Sequence, residues 1–161
     1  MLRLAEGGSG MRGKSPASFG KRIEHWIISL MLKEGMEVYV PLVDDHAVDA
    51  VVIRPDGTTA LIQVKAHSEG VVPEGAAQFS VRRPEPEKGR KDYWYVFYSE
   101  RFDRMWIMTS EEFKKNSKPT RTGKYRGLRY IRFSGKRQGP LDSYVDVDKN
   151  FRRIRGQRSK S

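Results

Sequence analysis

At 161 residues, 37% of them hydrophobic, the chain fits one domain and can bury a single core. It has no cysteine and only three scattered histidines, His25, His46 and His67, which excludes a disulfide framework and a thiolate zinc site. No apolar run approaches the roughly 18 residues that cross a bilayer, so no membrane partner is expected and the cytoplasm is the expected location.

Residues 1–15 are rich in Gly and Ser and read as a flexible segment. They contain a literal phosphate-loop pattern, Gly8 followed by Gly13-Lys14-Ser15. Such a loop works only between a buried strand and a helix that aims its N–H groups at phosphate. Here too little chain precedes it and Pro16 follows at once, so the match is set aside.

A helix is predicted from Pro16 to Glu34, capped by Ser15 and ended by Gly35. Phe19, Ile23, Trp26, Ile27 and Leu30 recur at helical spacing as one apolar stripe. Glu24 lies on the flank of that stripe, where a carboxylate can reach the edge of a sheet. A strand is predicted over residues 36–43, then a polar corner at Asp44-Asp45-His46-Ala47. A second strand covers residues 48–54, Pro55-Asp56-Gly57-Thr58 reads as a turn, and a third strand covers residues 60–66.

Residues 68–92 read as a mobile excursion, and Tyr93–Tyr98 and Arg104–Met108 as further strands. The aromatic run Tyr93-Trp94-Tyr95-Val96-Phe97-Tyr98 is expected to pack in the core rather than stack on bases. Ser110 opens a short helix, and residues 129–133 are a strand or a loop edge. The order αβββ-loop-βα implies an α/β (α+β) core with a central mixed β-sheet flanked by helices. The domain is expected over residues 16–135, followed by a basic C-terminal tail over 136–161.

Period two puts Leu61, Gln63 and Lys65 on one face of the third strand and Ile62, Val64 and Ala66 on the other. The second face is apolar and is expected to meet the helix layer. A three-residue loop Asp56-Gly57-Thr58 would pair Arg54 with Ala60 and set Asp49 opposite Lys65 on the same face. A four-residue loop would move Asp49 to the other face.

Glu24, Asp49, Gln63 and Lys65 in this arrangement resemble the PD-(D/E)xK nucleases over residues 20–66. The Gln-x-Lys form is similar to that of Holliday-junction resolvases and of some restriction enzymes. The resemblance implies a restriction-endonuclease-like core and a divalent-metal-dependent endonuclease that hydrolyses phosphodiester bonds in DNA, branched DNA included. It implies Mg²⁺ or Mn²⁺ held by Asp49, the Gln63 amide oxygen and the Val64 carbonyl, with Glu24 on a metal-bound water or second ion. Lys65 would orient or help deprotonate the water, or offset charge on the phosphate. Gln63 stands where the commoner pattern has a carboxylate, and Asp44 or Asp45 is an alternative ligand to Asp49. His67, next along the same face, reads as a loop residue. The alternative is a non-catalytic nucleic-acid-binding module on the same scaffold.

The net charge of +11 is unevenly placed: residues 121–161 hold 13 Lys/Arg against 3 Asp/Glu, and residues 1–120 hold 18 against 17. A concentrated basic segment favours nucleic acid, because each neutralised phosphate releases counterions. Arg121, Lys124, Arg126, Arg129, Arg132, Arg152 and Arg153 are the candidate contacts, to DNA before RNA. Residues 149–161 read as a flexible basic arm. A homodimer is the expected assembly, by resemblance.

Overall fold

A computed structural model describes residues 15–43, 46–69, 76–82, 89–135 and 140–156. The phosphate-loop-like match up to Lys14, the pair Asp44-Asp45 and residues 157–161 lie outside the described residues.

The first helix, α1 (Pro16–Lys33), starts where its capping chemistry places it. The Ser15 hydroxyl accepts the Ser18 N–H at 3.3 Å, Pro16 occupies the first turn, and Gly35 at φ +74° follows the C-cap residue Glu34. Ile27 and Met31 are fully buried, Phe19 and Ile28 nearly so, and Ile23, Trp26 and Leu30 pack half-buried beside them. The stripe is broader than the spacing predicts, taking in Ile28 and Met31.

The remaining elements are β1 (Glu37–Tyr39), β2 (Ala50–Ile53), β3 (Thr59–His67), β4 (Ala76–Arg82), β5 (Tyr93–Ser99), β6 (Arg104–Thr109), α2 (Ser110–Asn116), β7 (Lys118–Pro119), β8 (Leu128–Ser134) and α3 (Val147–Ile154). Five strands form a mixed sheet in the order β1-β2-β3-β5-β6, with β3 and β5 parallel and the other pairs antiparallel. The central mixed sheet is as expected. A second, three-stranded antiparallel sheet, β4-β8-β7, was not.

Alternation along the strands builds two cores. Ala50, Val52, Ile62, Trp94, Val96 and Ile107 turn to one face and meet α1 and α3. Tyr93, Tyr95, Phe97, Trp106 and Met108 turn to the other, where Phe79, Val81, Ile131 and Phe133 of the second sheet and Phe113 of α2 cover them. Every residue of β5 is buried, so its aromatic run is core, as expected. Phe97 lies 5.0–5.8 Å from the rings of Phe79, Phe113, Tyr95 and Phe133, spacings at which tilted and offset aromatic pairs attract.

Several elements differ from expectation. The strand predicted over residues 36–43 is only β1, and Val40, Leu42 and Val43 are exposed. Its partner β2 begins at Ala50, and Pro41 has no N–H for a ladder. The excursion over 68–92 contains β4, while 70–75 and 83–88 within it lie outside the described residues. Helix α2 opens at Ser110, as expected, and its cap is Thr109. Its hydroxyl accepts the Glu112 N–H at 3.1 Å and its own N–H donates to the Glu112 carboxylate at 2.8 Å, a reciprocal capping box.

The largest difference is at the C-terminus, where α3 belongs to the first core. Asp146 caps it through the Lys149 N–H, and Phe151 and Ile154 are buried against the sheet. The fully buried Asn150 amide donates to the carbonyls of Ser143 and Asp146 and accepts from Arg153. The described part of the expected tail is therefore structural through Gly156. Among the described residues no helix is long and apolar enough to cross a membrane.

Candidate metal and nucleic-acid site

The β2–β3 hairpin sets the site. Gly57 takes φ +81°, its N–H donates to the Arg54 carbonyl, and the Asp56 carboxylate accepts both the N–H and the hydroxyl of Thr58. The Arg54 N–H donates to the Thr58 carbonyl at 2.8 Å, so the loop is Pro55-Asp56-Gly57 and Ile53 pairs with Thr59. Of the two alternatives the loop takes three residues, but it begins at Pro55. The pairing moves by two residues, which preserves which face each side chain takes.

The last ladder pair is Ala50 with Ile62. Asp49 N–H also donates to the Ile62 carbonyl at 2.8 Å, so Asp49 and Ala50 lie against the same residue. From there Asp49 turns its carboxylate onto β3, and its Oδ2 accepts the Val64 N–H at 2.6 Å. Asp49 therefore sits against the residue between Gln63 and Lys65 rather than opposite Lys65. In an antiparallel ladder the N–H and C=O of one residue point to the same edge, so the Val64 carbonyl projects toward the edge that Asp49 occupies. β3 runs on to His67 while the β2 ladder has ended, which opens this edge.

Gln63 and Lys65 share a face, opposite Val64 and Ala66, which pack toward α1. Both are half-buried. His67 is the last residue of β3 rather than a loop residue, and its ring stacks on Phe79 at 4.3 Å. Burial, and then the positive charge of Lys65, hold its pKa below the ordinary histidine value, so the ring is neutral at neutral pH.

Glu24 is 7% exposed on α1, in the layer over the opposite face, and its carboxylate accepts from Lys21 Nζ at 2.7 Å. The structure thus joins Asp49 to the Gln63-Val64-Lys65 strand and pairs the buried Glu24 with Lys21. Asp44 and Asp45, the alternative ligands, lie outside the described residues.

Two residues that position Asp49 escaped the sequence reading. Tyr93 donates its hydroxyl to the Ala47 carbonyl, and Arg90 donates to the His46 carbonyl at 2.7 Å. Ala47 takes φ +54°, a conformation that a residue with a Cβ adopts only under local constraint. The two long-range bonds supply that constraint and fix the approach to Asp49.

Among the described residues no three His, Cys, Asp or Glu side chains gather as a metal cluster. Among the described residues, the Asp49 carboxylate and the Val64 carbonyl meet at the β3 edge, with Gln63 on the adjoining face. That set suits Mg²⁺, a hard ion that keeps several waters and takes one or two carboxylates from protein.

The proposed nucleic-acid residues divide sharply. Arg121, Lys124 and Arg126 lie exposed in the β7–β8 connection, with Lys124 over the Tyr125 ring at 4.9 Å. Arg132 is exposed on β8 and Arg152 on α3. Arg129 is committed elsewhere: it donates to the Ser117 hydroxyl and to the Lys114 and Ser117 carbonyls at 2.8–2.9 Å, closing the C-terminal end of α2. Arg153 pairs with Glu112 at 2.5 Å and stacks over Trp94. These two guanidiniums are structural, because their forks are filled by protein acceptors.

No family model matches the chain, and no curated protein matches it. Solved structures similar to the chain include the following two. A bacterial homing endonuclease superposes with TM-score 0.59 at 22% identity, covering 83% of this chain and 88% of its own. A Holliday junction resolvase from Archaeoglobus fulgidus, an archaeal hyperthermophile, superposes with TM-score 0.51 at 13% identity, covering 87% and 98%. Both have the restriction-endonuclease-like fold, and the likeness shows that this chain has it too.

Proposed function

We propose that this restriction-endonuclease-like domain is a divalent-metal-dependent endonuclease that hydrolyses phosphodiester bonds in DNA. The observation that carries the proposal is the Asp49 carboxylate seated on Val64, between Gln63 and Lys65, at the edge where β2 ends. The likeness to a homing endonuclease and to a Holliday junction resolvase supports it.

Asp49, the Val64 carbonyl and the Gln63 amide would hold Mg²⁺ or Mn²⁺, with Glu24 approaching from the helix layer. When bound, the ion supplies charge to the scissile phosphate and acidifies a water. Lys65 brings a fixed ammonium to the same face, where it offsets charge developing on phosphate oxygens and orients the attacking water. Arg121, Lys124, Arg126 and Arg152 contact the phosphate backbone, and Arg132 reaches the DNA from β8. Branched DNA is a candidate substrate and a homodimer the candidate assembly, after the resolvase. The neutral Gln63 favours a second reading, a non-catalytic binding module, which would hold DNA equally well in chelator.

Cleavage of plasmid DNA by wild type and Lys65→Ala in Mg²⁺ or Mn²⁺ tests the proposal. Wild type is expected to nick or cut, and the variant to be about 10²–10⁴-fold slower with its fold intact. Cleavage that is untouched by the substitution removes the mechanism.

A further inference from the structure

We propose that the outer face of the β4-β8-β7 sheet reads bases in a groove of duplex DNA, which makes the protein sequence-selective. The inference rests on the DNA-cleaving function proposed above and adds what that reading leaves open, the means by which a site is chosen.

Along β4, Ala77, Phe79 and Val81 are buried while Gln78, Ser80 and Arg82 are exposed. On β8, Ile131 and Phe133 are buried while Arg132 is exposed and Tyr130 half-exposed. The register sets Gln78 beside Arg132 and Ser80 beside Tyr130, with Lys118 of β7 on the other side of Tyr130. The outer face is thus a lattice of hydrogen-bonding side chains on a twisted antiparallel sheet. A partner protein would be met by apolar side chains at the centre of such a face, and Gln78, Ser80 and Arg132 stand there instead.

Charge selects the occupant. Residues 76–82 and 117–135 contain no Asp or Glu, and they carry Arg82, Lys118, Arg121, Lys124, Arg126 and Arg132 besides the α2-bound Arg129. The major groove admits a β-ribbon, and Gln and Arg are the side chains that pair in two-point fashion with adenine and guanine edges. Phosphate attraction alone would need only cations. Gln78 and Ser80, both uncharged and both exposed, add the donors and acceptors that distinguish one base pair from another.

The fold also brings this face near the cutting strand. Phe79, between Gln78 and Ser80 on β4, stacks its ring on His67, two residues beyond Lys65. The reading side chains stand on the far side of β4 from the face of Lys65, one sheet-to-sheet spacing of ~10 Å away, a distance comparable with the ~12 Å width of the major groove. Lys124 and the exposed Tyr125 at the tip of the β7–β8 connection then flank the groove on its phosphate side.

The test is selection from a pool of duplexes with a randomised centre, in EDTA at about 0.15 M salt, with wild type and a Gln78→Ala/Arg132→Ala double variant. Wild type is expected to enrich a defined sequence. The double variant, melting with wild type because both side chains are exposed, is expected to lose about tenfold discrimination at each base position its side chains read. The same sequence at the same depth from the variant overturns the inference, as does tight wild-type binding that enriches no sequence, or preference for an RNA hairpin. Wild-type cleavage in Mn²⁺ is run alongside. Lys65-dependent cutting without any enriched sequence sinks the reading face alone, whereas wild type that neither binds nor cuts DNA sinks the nuclease proposal with it.

Discussion

Asp49 holds the Val64 N–H and, in the function proposed above, a metal ion, and two substitutions pull these duties apart. In the protein without metal its Oδ2 accepts the half-buried Val64 N–H at 2.6 Å. A hydrogen bond to a charged acceptor contributes about 1.5–3 kcal/mol, and a neutral one about 0.5–1.5. Asp49→Ala removes the acceptor and strands the amide at a cost of about 2 kcal/mol. Asp49→Asn keeps an amide oxygen in reach and costs about 1. For a chain of this length each kcal/mol moves the melting temperature by about 2–4 °C, so calorimetry in EDTA should rank wild type, Asn, then Ala, with the Ala variant about 4–8 °C down. Metal reverses the grouping. An ion at ten times its Kd stabilises the native state by about 1.4 kcal/mol, a rise of about 3–5 °C for wild type. Both variants lack the anionic ligand and should not move. A metal-induced rise that survives in the Asn variant would refute Asp49 as the ligand, and an Ala variant as stable as wild type in EDTA would refute the structural bond.

The other predictions probe the scaffold around this edge. Phe151→Ala should cost about 3–5 kcal/mol, as for any fully buried Phe, and lower the melting temperature by about 10 °C, whereas exposed Arg152→Ala should not; equal melting for the two would return residues 147–154 to the status of a tail. Salt titrations of DNA binding should sort the arginines: Arg126→Ala lowers the slope of log K against log salt by about 0.9, while Arg129→Ala leaves the slope alone and destabilises α2 instead. Acid unfolding should depend on Asp92. Burial raises its pKa, but hydrogen bonds from Arg54 and Trp94 and the Arg54 charge outweigh that, so the folded value lies below the ordinary one. That contribution is fully present above the unfolded value of about 3.9 and is lost as pH falls through the folded one. Asp92→Asn should therefore destabilise the protein at pH 7, with the gap to wild type beginning to close below about pH 4 and closing only under the folded value, in pH-dependent melts.

Local chemistry made much of this legible. Ser15, Pro16 and Gly35 mark both ends of α1 because caps act over one turn, and the alternation of residues 61–66 assigns Gln63 and Lys65 to their face whatever follows in the chain. The hairpin was less determined. Whether Pro55 or Thr58 enters the loop depends on which backbone groups pair, and Pro55 has no N–H to offer, so Thr58 takes the ladder position and the ladder moves along β3 by two residues. Parity survives within the ladder, and Asp49, just past its end, reaches β3 through its carboxylate. The supports of Asp49 had no signal at all: Tyr93 and Arg90 lie more than forty residues from the carbonyls they hold, and nothing local ties a strand tyrosine to a corner at Ala47.

The C-terminal quarter shows why charge misleads when read by count. Val147, Asn150, Phe151 and Ile154 recur at helical spacing, but four cations within residues 149–155 mask the period. A buried helix can carry such a load because Asn150, Arg153 and Glu112 satisfy one another, and the guanidinium of Arg153 lies over Trp94. Arg129 likewise spends its donors on α2. Affinity for phosphate follows the cations whose donors remain outward, and these gather on β8 and in the β7–β8 connection. The salt slope should therefore fall well short of what 13 basic residues in the last quarter would suggest. On the proposals above, phosphate contact and base reading share one sheet, which Phe79 and His67 hold to β3.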